Sequence, residues 1–103
     1  MRKIILIDQR AKKEIKDFPR AVQVKLYAAI NVLGQYGKID ASLGKKISSE
    51  LFEIRIKLNN CYRCIYAYYH IKEIVVLSAF VKKQQKTPLL EMKKAKNRLR
   101  EYK

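Results

Sequence analysis

The sequence contains no apolar run approaching the roughly eighteen residues of a membrane-spanning helix, so no membrane partner is expected. Its opening, MRKIILID, is charged at the start but apolar for too short a stretch to act as a secretory signal, and a soluble cytoplasmic protein is expected. There is one histidine, His70, expected in a turn, and there are two cysteines with no second pair to complete a zinc site. Cys61 and Cys64 form C-Y-R-C within a segment that reads as a strand. Side chains three apart on a strand point to opposite faces, so these thiols neither bridge nor share a metal easily. Reduced cysteines, no metal and no other cofactor are expected. Internal repeats and low-complexity tracts are also missing. Acidic residues are scarce: nine Asp and Glu stand against 24 Lys and Arg, a formal charge of +15.

What is present is a periodic, 49% hydrophobic chain of 103 residues, room for one domain. A charge this high exceeds what solubility asks of a small domain and points to a polyanionic partner. Nucleic acid is the leading class, because a positive field speeds encounters with phosphate chains and binds them by counterion release. An acidic protein or an anionic membrane surface would also answer the charge. Residues 82–103 concentrate it: nine cations against Glu91 and Glu101 give a net +7.

Along the chain, KIILI at residues 3–7 reads as a short strand ended by Asp8, a good N-cap for a helix starting near Gln9. Ala11, Ile15 and Phe18 mark the buried face of that helix. Pro19 stops it and opens another, whose stripe Val22, Leu26, Ala29, Ile30, Leu33 runs to Gly34 and Gly37. Residues 38–49, with Gly44, three serines and three lysines, read as a surface loop. F-E-I-R-I-K-L then alternates without a fault, placing Phe52, Ile54, Ile56 and Leu58 on one face and Glu53, Arg55 and Lys57 on the other. A second strand is expected over 62–69 and a third, apolar on both faces, over 74–81. Thr87 is read as an N-cap and Pro88 as the first residue of a last helix buried through Leu89, Met92, Ala95, Leu99 and Tyr102. The order β-α-α-β-β-β-α predicts an α+β domain with a mostly antiparallel sheet.

The register of the first long hairpin decides where Arg63 points. A two-residue Asn59-Asn60 loop would pair Arg55 with Cys64 and leave Arg63 in the core, an unpaired buried charge costing several kcal/mol. A three-residue loop, 58–60, with Asn60 in the left-handed conformation pairs Lys57 with Cys61 and sets Arg55 opposite Arg63. This register is expected. Two arginines facing each other repel unless an anion lies between them. Lys82, Lys83 and Lys86 fall just before the last helix, whose N-terminal dipole disfavours cations, so they are read as a phosphate cradle.

The segment from Leu51 onward resembles the HigB-like branch of the RelE/ParE toxin superfamily, and most closely its phage-derived members. The hallmarks are the L-F-E-I-R-I-K strand, Y-R at Tyr62-Arg63 and F-V-K-K-Q-Q-K-T-P at residues 80–88. The resemblance implies a RelE-like fold and the toxin of a type II toxin–antitoxin pair. Such a toxin cleaves mRNA, typically in the ribosomal A site, and is neutralised by a cognate helix-turn-helix antitoxin through which alone it would meet operator DNA. Relatives need no metal and assist attack by a ribose 2′-hydroxyl on the adjacent phosphate. By motif position, Arg55, Arg63 and Lys83 or Lys82 match the basic catalytic positions, with Lys57, Lys82 and Lys86 as RNA or phosphate ligands. Arg55 and Arg63 would clamp the phosphate, while Lys83 or Lys86 would protonate the leaving oxygen. Glu53 stands where some relatives carry a lysine and is either a general base or a salt-bridge partner of Arg55 or Arg63. Tyr69 and Tyr102 are candidates for stacking on a base. The competing classes are a ParE-like inhibitor of DNA gyrase and a non-enzymatic RNA-binding module.

Overall fold

The computed structural model describes residues 2–83 and 87–103. Lys86 of the expected cradle lies outside them. The β-branched run Ile4–Ile7 forms β1, and Asp8 ends it by accepting a hydrogen bond from the Arg10 backbone N–H at the start of α1 (Gln9–Lys16). Pro19 is the N-cap of α2 (Arg20–Tyr36), which Gly37 closes at φ 80°, a left-handed conformation that glycine adopts without a Cβ clash. β3 (Phe52–Leu58), β4 (Asn60–His70) and β5 (Glu73–Lys82) follow, then α3 (Leu89–Arg100). The expected order holds with one addition. Inside the segment read as a loop, Gly44–Lys46 forms a short edge strand, β2, paired antiparallel with β3.

The sheet runs β1-β5-β4-β3-β2, parallel only between β1 and β5. Helices α1 and α2 cover one face, packing Ile15, Val22, Leu26 and Leu33 against Ile54, Cys64 and Ile74. On the other face α3 presents Ala95 and Leu99 to Leu51, Ile65, Val75 and Leu77. β5 is therefore covered on both sides, as its continuous apolar run requires. Between Ile65 and Tyr66 the β4–β5 register shifts, Ile65 pairing with Ser78 and Tyr66 with Val76, so Leu77 is an extra residue. The bulge sets Phe80 opposite Arg63 and Lys82 opposite Cys61.

Three local expectations are corrected. The left-handed residue of the hairpin is Asn59, at φ 68°, and not Asn60. Leu58 and Asn60 pair across it, which tightens the turn without changing the register. Pro88 is the N-cap of α3, and the Thr87 hydroxyl donates to Glu53 instead of capping. Leu89 is 82% exposed, because the helix meets the sheet only from about Met92 onward.

α1 and α3 are locked together where β1 stops and leaves the edge of β5 open. Glu14 accepts from the Ala79 backbone N–H and from Arg98, which also donates to the Leu77 carbonyl. A second lock joins Asp8 to Arg10 and to the Tyr102 hydroxyl, with Arg10 reaching Glu101. The Arg10 side chain holds the Asp8 carboxyl well below the usual carboxylate range, with help from Tyr102 and against burial. Burial works to raise Glu14, but Arg98, the Ala79 N–H and Lys94 outweigh it and leave it lowered. A carboxyl whose folded pKa lies below its unfolded value of about 4 contributes stability above that pH and loses it as pH falls through the folded value. Unfolding free energy from urea titrations should therefore drop steadily below about pH 4, and Asp8→Asn should flatten the drop. An acid limb equally steep in Asp8→Asn would show that Asp8 does not contribute.

Candidate functional site

The faultless alternation of β3 brings Glu53, Arg55 and Lys57 onto the α3 side of the sheet, and pairing with β4 sets Arg55 opposite Arg63 and Lys57 opposite Cys61. Across β4, Lys82 pairs with Cys61 and so joins the same face. Arg63 is not in the hydrophobic interior, but it is well packed. Its side chain is 11% exposed, with Nε 3.3 Å from Glu53 Oε1, an ion pair without a hydrogen bond. Glu53 is 2% exposed and its other oxygen accepts from the Thr87 hydroxyl at 2.8 Å. That bond draws the start of α3 beside the arginine face. Arg55 donates from Nη2 to the Ala41 carbonyl at 2.8 Å, while its buried Nε has no hydrogen-bond partner among the described residues. The two guanidiniums thus sit on adjacent strands but rest on different partners, and each retains a donor with no hydrogen bond among the described residues.

Both arginines line an open cleft of about 430 Å³ together with Lys25, Lys57 and Cys61. Among the described residues, four cations and no carboxylate line it. The ammonium of Lys82 is pushed below its ordinary pKa by partial burial and then by Arg63, with Lys45 adding to the effect and Glu53 opposing it. Lys83 lies one residue past the end of β5 and is exposed. The structure therefore groups Glu53, Arg55, Lys57, Arg63 and Lys82 on one face, with Lys83 at its margin. Lys45 and Thr87 also belong there, and Lys25 reaches the cleft from α2 on the other side of the sheet. Nothing in the local sequence marks them, since one sits on a helix, one on an unpatterned edge strand and one at an apparent cap.

Tyr69 and Tyr102 are half-buried and engaged elsewhere. The Tyr69 hydroxyl donates to the Tyr102 carbonyl and the Tyr102 hydroxyl to Asp8. Among the described residues, no group of three or more His, Cys, Asp or Glu side chains is arranged to hold a metal ion, and no helix is long and apolar enough to cross a membrane.

Residues 13–100 match the model of a family described as phage-derived Gp49-like proteins (DUF891). The chain belongs to the Gp49-like family. No curated protein sequence matches it significantly. Among solved structures, the free Escherichia coli toxin RelE carrying two arginine-to-alanine substitutions superposes with a TM-score of 0.72 at 19% identity, covering 95% of this chain and 98% of that one. The intact E. coli RelBE toxin–antitoxin complex gives 0.64 at 18% identity over 80% of this chain and 99% of that one. The archaeal RelE–RelB complex of Pyrococcus horikoshii gives 0.61 at 18% identity, over 82% and 99% respectively. This member of the Gp49-like family therefore has the RelE fold.

Proposed function

We propose that the protein is the toxin of a type II toxin–antitoxin pair and an endoribonuclease of the HigB-like type, acting on mRNA at the ribosome in the cytoplasm. The observation that carries this reading is the Arg55–Arg63 cross-strand pair, with Lys82 across from the neighbouring Cys61, on a face whose cleft contains no carboxylate. Two like charges held opposite each other cost stability in the empty protein and are repaid by an anion bound between them. Support for the partner comes from neighbours of the same fold that are themselves toxin–antitoxin complexes. The partner proposed here is a helix-turn-helix antitoxin, which would link the toxin to operator DNA.

In the proposed reaction the ribose 2′-oxygen forms a bond to the adjacent phosphorus and the bond from phosphorus to the 5′-oxygen breaks. A 2′,3′-cyclic phosphate and a 5′-hydroxyl result. Arg55 and Arg63 hold the non-bridging oxygens and stabilise the charge that builds on them. The leaving 5′-oxygen takes a proton from Lys82, whose lowered pKa suits it to donate, or from Lys83 beyond it. Both oxygens of Glu53 are engaged, so its role is to orient Arg63, and the 2′ proton passes to water. Lys57 adds attraction for the flanking phosphates.

The test is a translating extract programmed with one defined message. Site-specific cuts carrying 5′-hydroxyl ends are expected. Ends bearing 5′-phosphate would indicate metal-assisted hydrolysis and refute the mechanism, and uncut message with stalled gyrase supercoiling would refute the function.

A further inference from the structure

On the α2 side of the sheet, away from the arginines, a cleft of about 240 Å³ lies between the segment after α2, the β2 edge and the far part of β4. Its walls are aromatic. Phe52 stacks on Tyr66 with centroids 5.5 Å apart and meets Tyr68 edge-on at 5.2 Å. The Tyr68 ring is 38% exposed, yet it is held in place because its hydroxyl donates to the Gly37 carbonyl at 2.8 Å. Lys38 and Lys46 line the cleft, with Lys46 Nζ 5.8 Å from the Phe52 centroid and Lys3 Nζ 5.9 Å from that of Tyr68.

β2 joins this cleft to the arginine face. Lys45 pairs with Glu53 and Lys46 with Phe52, so successive lysines of one edge strand turn to opposite sides of the sheet. The partial burial that depresses Lys82 is reinforced by Lys45, which places Lys45 electrostatically within the arginine face. Phe52 and Arg55 are three residues apart on β3, about 10 Å along the strand. A phosphate chain leaving the arginines passes Lys45 and Lys46 on β2 and then reaches an aromatic platform. Fixed rings flanked by ammonium groups are the arrangement that binds single-stranded nucleic acid without reading its sequence.

We propose that this cleft is a second RNA site, in which a base of the strand flanking the scissile phosphate stacks on Tyr68 with its edge toward Phe52 while Lys38 and Lys46 hold the adjacent phosphates. The proposal rests on the reading of the protein as an RNA-cleaving enzyme, but it is tested through binding. The probe is a short fluorescein-labelled single-stranded oligoribonucleotide, followed by anisotropy across a salt series in an Arg63→Lys background. Tyr68→Leu should weaken binding about tenfold with the salt slope unchanged, since stacking and not charge is lost. Tyr68→Phe gives up the bond to Gly37 but keeps the ring and its packing on Phe52, and should bind far closer to the wild type than Tyr68→Leu does. Lys38→Glu with Lys46→Glu should weaken binding more than Lys12→Glu with Lys13→Glu, an equal charge change on exposed α1 positions. Equal losses from the two lysine pairs, or Tyr68→Leu binding like Tyr68→Phe, would overturn the site. If the wild type never cuts RNA while binding still depends on the Tyr68 ring, the cleavage reading fails and the site stands.

Discussion

Arg63→Lys should fold like the wild type and lose cleavage by about two orders of magnitude, the range seen when one transition-state donor is removed. The reason is geometric. Lysine keeps a positive charge beside Glu53, so the buried carboxylate is not stranded, but a point ammonium cannot present two parallel donors to the phosphate oxygens. Alanine is a poorer probe. With Arg63 gone, Glu53 at 2% exposure would retain, among the described residues, only the Thr87 hydroxyl, and breaking a buried pair from one side costs about 3 kcal/mol or more. Arg63→Ala should therefore lose both stability and activity, and only the lysine variant separates the two. Rates of site-specific cutting in the translating extract, alongside urea unfolding of each variant, decide the matter. A lysine variant that folds normally and cuts at the wild-type rate would remove Arg63 from the mechanism.

Arg98→Ala should destabilise the protein by about 3–5 kcal/mol, a large share of the 5–15 kcal/mol typical of a whole domain. Arg98 is 8% exposed and donates to both oxygens of Glu14 at 3.0 Å and to the Leu77 carbonyl at 2.8 Å. Glu14 in turn receives the Ala79 N–H on the edge of β5 that β1 does not reach. Removing the guanidinium strips Glu14 of its main partner, leaves the Leu77 carbonyl unsatisfied and loosens α3 from the sheet. Lys94, 3.4 Å from Glu14 and half-buried, compensates only in part. Replacing both charges, Arg98→Met with Glu14→Gln, should recover much of the loss, because no orphaned charge remains. Urea unfolding of the single and double variants measures this. A loss below about 1 kcal/mol in the single variant would place the pair among surface bridges of little weight.

Much of the architecture is legible in local pattern. Seven alternating residues define β3, Val22 to Leu33 repeat at helical spacing, and the penalty for burying Arg63 selects the register that sets it opposite Arg55. These features follow from period and burial, which neighbouring residues encode. Other features have no local signature. β2 has only three residues and no alternation of its own, and exists because β3 offers it an edge. The extra residue at Leu77 decides that Lys82 shares the face of Arg63, yet a continuously apolar strand gives no sign of where a bulge falls. Thr87 and Pro88 look like a cap and a first helical residue, but a carboxylate 34 positions earlier in the chain claims the hydroxyl. Leu89 fits the helical stripe and still lies in solvent, because the sheet ends before it. The amino-acid order by itself determined the helices, the long strands and which face each residue of β3 takes, since these depend on short-range periodicity. Only the tertiary structure decided which of several distant partners each long charged side chain meets, because that choice is made by whatever the packed sheet and helices bring within reach.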